Sequence, residues 1–245
     1  LFFRMFPELQ DHLPWGKGQP PPGAVLLVTH PSTEVDGRFL LHHFLTACLH
    51  AEGHVTLASF VHTPTHYHTV QRKLNASLDT ALAEGRMRFL DCLTGTGDGY
   101  IYDAKTSPLQ DLAQRIAEMC AGASAPGQGL VVVDDLTTVC VLAPPQEVAR
   151  FIWALAGLAK QRGVCVAFLM GSDVVEDRML LSMLRHITTT HFEVAPLVSG
   201  YSRDVTGLVS VSTRDPQTLA TSSRLLQFKT LDNTVRFSLH GQVVR

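Results

Sequence analysis

Five short apolar runs recur along the chain: VLLVT (25–29), VTLASFV (55–61), RMRFLDCL (86–93), GLVVVDDL (129–136) and VCVAFLMG (164–171). They are too short for typical helices, and the purest of them lack the alternation of a half-solvated strand, so they suit strands covered on both faces. Helical spacing fills the intervals. Phe39, Leu40, Phe44, Leu45 and Leu49 recur at helical spacing, 64–74 and the LDTALAEG stretch follow, and Ser107 with Pro108 opens a helix to Cys120. The longest helix is expected at 144–162. Strands separated by helices over this length imply a mostly parallel α/β sheet with helices on both faces. After about residue 191 the texture changes to short β-rich pieces, HFEVAPLV, LVSVSTR, LLQFKTL and TVRFSLHG. They are expected to add a β-rich antiparallel C-terminal extension at the sheet edge.

The chain has 245 residues, 45% of them hydrophobic and 17% charged, enough for one large domain with its own core. GKGQPPPG (16–23) can be neither helix nor central strand. The division is therefore an N-terminal segment and tether, 1–23, and a single domain, 24–245. A net charge of −2 speaks against a free-standing nucleic-acid binder, though not against a shared site. Five separated cysteines without a CxxC pair fit neither a disulfide framework nor a zinc set, and are expected to be reduced and mostly buried. No run is long and apolar enough to span a membrane, and the N-terminal residues do not follow the order of a signal peptide.

The stretch HPSTEVDGRF (30–39) joins the first strand to the first long helix and has the outline of a phosphate-binding loop, GxxxxGK[ST]. Setting Gly37 at the second glycine places Ser32 at the first, Arg38 at the lysine and Phe39 at the hydroxyl that would hold Mg²⁺. Arg38 keeps a charge but not the compact ammonium. Ser32 resists the positive φ that glycine permits. Phe39 has no oxygen for a metal and would put apolar bulk where a triphosphate and Mg²⁺ sit. Asp134 ends the fourth strand where NTPases place a metal-holding carboxylate. The plainer reading is a strand-end residue that caps the next segment. The place for a water-activating carboxylate holds His62, Thr63, His66 and His68 instead. Histidines adjacent in sequence, or two apart, diverge on a helix, so no metal set is expected. No GxSxG nucleophile turn occurs either.

Taken in order, DGRFLLHHFL, VTLASFVHTPTHYHTVQRKL with GRMRFLDCL, VVVDDLTTV, and SGYSRDVTGLVSV with LDNTVRFSLHG resemble the Elongator complex protein 6 family, from about residue 24 onward. The resemblance implies a RecA-like fold without working nucleotide-binding signatures, no cofactor and no metal. It implies a non-catalytic structural or accessory subunit of the Elongator complex. Such a subunit assembles with the fourth and fifth subunits into a hetero-hexameric ring, two copies of each, that binds tRNA. The ring would join the larger catalytic subcomplex in the cytoplasm, or also the nucleus, and support wobble-uridine modification carried out by another subunit. Arg72 with Lys73, Arg86 with Arg88, and Arg203 are the tRNA-contact candidates, with Tyr201 able to stack on a base. Two alternatives remain open at this point. One is a divergent P-loop NTPase in which Arg38 and Asp134 still hold nucleotide. The other is a RecA-like DNA-recombination accessory protein.

Overall fold

The computed structural model describes residues 6–13, 15, 20–31, 33–94, 107–120, 129–215, 218–232 and 234–239. In chain order the elements are α1 (Pro7–Gln10), β1 (Val25–His30), α2 (Arg38–His50), β2 (His54–Ser59), α3 (Pro64–Lys73), α4 (Leu78–Ala83), β3 (Met87–Asp91), α5 (Pro108–Cys120) and β4 (Gly129–Asp134). They continue with α6 (Leu136–Leu142), α7 (Pro145–Arg162), β5 (Cys165–Gly171), α8 (Arg178–Ile187), β6 (Thr190–Ala195), β7 (Gly207–Arg214), β8 (Thr221–Leu231) and β9 (Thr234–Leu239).

One sheet runs through the molecule in the order β3-β2-β4-β5-β1-β6-β7-β8-β9. From β3 to β6 every pairing is parallel; from β6 to β9 every pairing is antiparallel. β1, β4 and β5 are buried at every residue, which is why their sequences are apolar without alternation. The pleat divides their side chains between two cores. Leu26, Val28, Val132 and Leu169 face a layer with α2, while Val25, Leu27, Val133 and Phe168 face α5, α7 and α8. Glycine ends α7: Gly163 has φ 67°, a left-handed position that side chains disfavour.

Several sequence expectations change here. The longest helix is α7, preceded by a separate α6 to which the sequence reading assigns no helix. α8, absent from the sequence reading, carries the chain across the sheet after β5. That helical crossover makes the HFEV strand, β6, parallel to β1, so the antiparallel extension begins one strand later, at β7. Residues 6–13 do not hang from the domain: Phe6, Leu9 and Leu13 are buried in the same core as α2 and β9. Of the Pro/Gly stretch, 16–19 lie outside the described residues. Among the described residues no helix is long and apolar enough to cross a membrane.

Candidate functional site

The carboxyl ends of β2, β4, β5 and β1 lie side by side in that order, at the edge where open α/β sheets place ligand chemistry. The connection from β1 to α2 rises there, and His30 closes it locally. Its Nδ1 lies 3.2 Å from the Pro31 carbonyl and 3.1 Å from that of Val35. Ser32 lies outside the described residues. Gly37 has φ −86°, which any residue adopts, so space rather than backbone freedom calls for glycine. A Cβ there would meet Val28 Cγ1 at 3.0 Å and both His30 Cβ and Val194 Cγ2 at 3.4 Å. The glycine lets α2 close onto β1 and β6.

Arg38, the first residue of α2, is bound on all sides. Its Nε donates to Asp134 Oδ1 at 3.2 Å, Nη2 to Asp135 Oδ2 at 2.8 Å and Nη1 to Asp36 Oδ1 at 3.3 Å. Asp36 also accepts the Arg38 backbone N–H at 2.9 Å, pinning the start of the helix. The side chain of Asp134 is 1% exposed and that of Arg38 18%, so the pair is largely out of water. The Tyr67 hydroxyl donates to the second Asp134 oxygen. Burial works against the Arg38 charge, but Asp134, Asp36 and Asp135 outweigh it and raise its pKa above the ordinary value. Burial pushes the Asp134 carboxyl up, further than Arg38 and the Tyr67 hydroxyl pull it down. Three carboxylates surround one guanidinium, which leaves the site with an excess of negative charge.

Two expectations are corrected. The residue that caps the segment after β4 is Asp135, which accepts from Thr138 N–H at 2.8 Å, while Asp134 turns to Arg38 and Tyr67. Phe39 does not project toward the loop's ligand side. It packs against Phe228 at 4.9 Å, Phe237 at 6.1 Å and Phe6 at 6.4 Å, joining α2 to the C-terminal strands.

Beside the clamp, His62 and His66 stack at 3.9 Å and His42 lies 5.8 Å from His66. Burial, reinforced by His66, pushes His42 down to about 3, and burial lowers His66 as well. The His42 and His66 imidazoles are neutral near pH 7. His42 instead completes a buried polar chain in which Thr46 Oγ1 donates to Gln71 Oε1 at 2.6 Å and Gln71 Nε2 meets His42 Nδ1 at 3.2 Å. All five cysteines are free, and burial pushes Cys48, Cys92 and Cys140 up to about 12. They are protonated thiols, not nucleophiles.

The five basic candidates do not converge. Arg203 is exposed in the loop after β6, on the same end of the sheet as Arg38. Arg72 and Lys73 are exposed in the last turn of α3, toward the opposite end, where His50 of α2 reaches the Asn75 carbonyl at 3.4 Å. Arg86 and Arg88 are held internally. Arg86 Nε donates to Glu84 at 2.8 Å and Nη1 to the Leu49 carbonyl at 3.3 Å, while Arg88 donates to the Met119 carbonyl. Sequence reasoning missed Asp36 and Tyr67. A carboxylate two residues before the loop's arginine was the available signal for the first; nothing in the sequence marked the second.

A parallel core with this strand order, a strand–loop–helix at its carboxyl edge and antiparallel strands beyond β6 define a RecA-like α/β protein. A KaiC-like protein of Pyrococcus horikoshii superposes with a TM-score of 0.68 over 96% of this chain and 97% of that one, at 10% identity. The model of the family described as Elongation complex protein 6 matches residues 6–232, and the chain belongs to that family. Elongator complex protein 6 of Rattus norvegicus is 28% identical and that of Homo sapiens 27%, each comparison covering 97% of this chain and 98% of the relative.

Proposed function

We propose that the chain serves Elongator as a non-catalytic accessory subunit that assembles with the fourth and fifth subunits into a hetero-hexameric RecA-like ring, two copies of each. The ring binds tRNA and supports wobble-uridine modification performed elsewhere in the complex. The observation that carries the non-catalytic part is the clamp on Arg38. The guanidinium at the loop's lysine position is already neutralised by Asp36, Asp134 and Asp135. A triphosphate would have to displace two partly or fully buried carboxylates and then face their charge. Any ATPase activity belongs to the assembled ring.

Partner surface is available at the same end of the molecule. Val141 and Leu142 end α6, and Val175 and Met179 flank Asp177, whose carboxyl is hydrogen-bonded to Cys140 of α6. Met179 is 70% exposed and Val141 83%. Exposed apolar residues gathered in this way suit a protein contact. Co-expression with the fourth and fifth subunits should give a stable hexamer by native mass spectrometry, while the isolated chain shows no saturable binding of a fluorescent ATP analogue. Saturable binding lost in Arg38→Ala would establish the divergent NTPase instead.

For tRNA, Arg203 is the first candidate, beside Tyr201 at 96% exposure, with Arg72 and Lys73 next. Arg203→Glu in the assembled ring should weaken tRNA binding and lower the salt slope by about one phosphate contact. An unchanged slope and affinity would remove Arg203 from the interface.

A further inference from the structure

We propose, on the reading of the chain as part of a tRNA-binding ring, that α3 and the turn into α4 form a pocket for one unpaired nucleotide of an RNA chain. Arg72 takes its phosphate, and His68, Asn75 and Asp79 surround its base. Thr65, His68, Thr69 and Arg72 fall at i, i+3, i+4 and i+7, so they line one face of α3, while Tyr67 and Gln71 of the same helix are buried. The chain then turns at Asn75, whose φ of 58° is a left-handed position that asparagine tolerates. Ala76 and Leu78 are buried, which turns Asn75, Ser77 and Asp79 out to make the second wall. His68 Nδ1 meets Asp79 Oδ1 at 3.5 Å and joins the two walls. The space between them is about 430 Å³, within the range of small-molecule pockets.

The walls are anchored, and the polar groups on them are largely uncommitted. Ala76 N–H donates to the Gln71 carbonyl at 2.9 Å, and His50 Nε2 lies 3.4 Å from the Asn75 carbonyl. Among the described residues the side chains of Thr65, Arg72 and Asn75 make no hydrogen bond or ion pair, and those of His68 and Asp79 meet only each other. Arg72 and Asn75 can donate, and Asp79 can accept. A bare anion would match the first two and be repelled by the third. A nucleotide within a chain matches all three, because it joins an anionic phosphodiester to a base whose N–H groups a carboxylate accepts. A free triphosphate brings several charges to the same carboxylate and is the poorer match. His68 offers a ring on which a base stacks, and only an unpaired base has its face and edge open to such contacts.

The test titrates the full chain against a fluorescein-labelled single-stranded RNA oligonucleotide, and the ring assembled with the fourth and fifth subunits against tRNA. The oligonucleotide should bind saturably. Arg72→Gln and Asn75→Gly should each weaken binding roughly tenfold in both titrations, and glycine keeps the left-handed turn at 75. Asp79→Ala separates a pocket from a merely charged surface. Removing a carboxylate from a surface that attracts RNA by charge strengthens binding; in the pocket it deletes a base contact and frees His68, so binding should weaken. All three positions are exposed, and near-UV circular dichroism verifies that the variants keep the fold. Oligonucleotide binding that is absent, unchanged by Arg72→Gln and Asn75→Gly, or strengthened by Asp79→Ala would overturn the pocket. A ring that binds tRNA equally well with each variant would overturn the pocket and leave the tRNA reading standing. A ring that fails to bind tRNA, with a chain that still holds the oligonucleotide through these residues, would overturn the tRNA reading and uphold the pocket.

Discussion

Arg38→Ala is expected to destabilise the protein by about 3 kcal/mol, among the largest effects available to a single residue here. The reason lies in what remains. Asp134 is buried beneath Tyr67, and without the guanidinium its carboxylate has only the Tyr67 hydroxyl to offset desolvation. Burial already pushes that carboxyl up in the intact protein, and removing Arg38 pushes it further. A carboxyl whose folded pKa lies above its unfolded one penalises folding at high pH, and the penalty fades as pH falls through the folded value. The deficit relative to the unmodified protein should therefore shrink between pH 7.5 and 5. Arg38→Met combined with Asp134→Asn should lose much less than Arg38→Ala, because the most deeply buried carboxylate of the clamp is no longer stranded. Urea unfolding of the three proteins measures this. A loss under about 1 kcal/mol for Arg38→Ala, the range of exposed pairs, would mean that the clamp does not hold the site together.

The second large effect is acid lability. Burial pushes His42 and His43 down to about 3 and His191 to about 4, from an ordinary 6.5. The unfolded chain takes up these protons first, so stability is full above 6.5 and is lost as pH falls from there toward 3 to 4. Each histidine contributes a slope of roughly 1 kcal/mol per pH unit inside that window. Urea midpoints should fall steeply from pH 6.5 to 5, opposite in sign to the relief expected at the Asp134 site of Arg38→Ala. His43→Phe should flatten the profile, since phenylalanine preserves the stack on Phe6 and removes the unpartnered Nδ1. A midpoint that does not move between pH 7.5 and 5.5 would contradict the burial of these rings.

The central strands were legible because burial on both faces demands unbroken apolar runs, and VLLVTH, GLVVVD and CVAFLMG have that pattern. α6 and α8 were not. α6 is seven residues long and α8 ten, too short for a stripe such as Leu180, Leu181 and Leu184 to stand out from its neighbours. Missing α8 reversed the expected direction of β6, since a helical crossover returns a strand in parallel.

The site divides along the same line. Local spacing alone identified the loop, the glycine at 37, the arginine at 38 and the carboxylate ending β4, because strand, turn and helix signals are carried by neighbours in sequence. What these residues do was decided by folding. Arg38 meets Asp134 and Asp135 across 96 and 97 residues, Tyr67 meets Asp134 across 67, and Phe39 meets Phe228 and Phe237 from the far end of the chain. Gly37 is required by the side chains of β1 and β6, which no sequence window contains together. Periodicity encodes which way a segment folds onto itself; it does not encode which charges the sheet brings to one edge. The stretch whose sequence has the outline of a phosphate loop contributes, in three dimensions, the arginine of an ion-pair clamp.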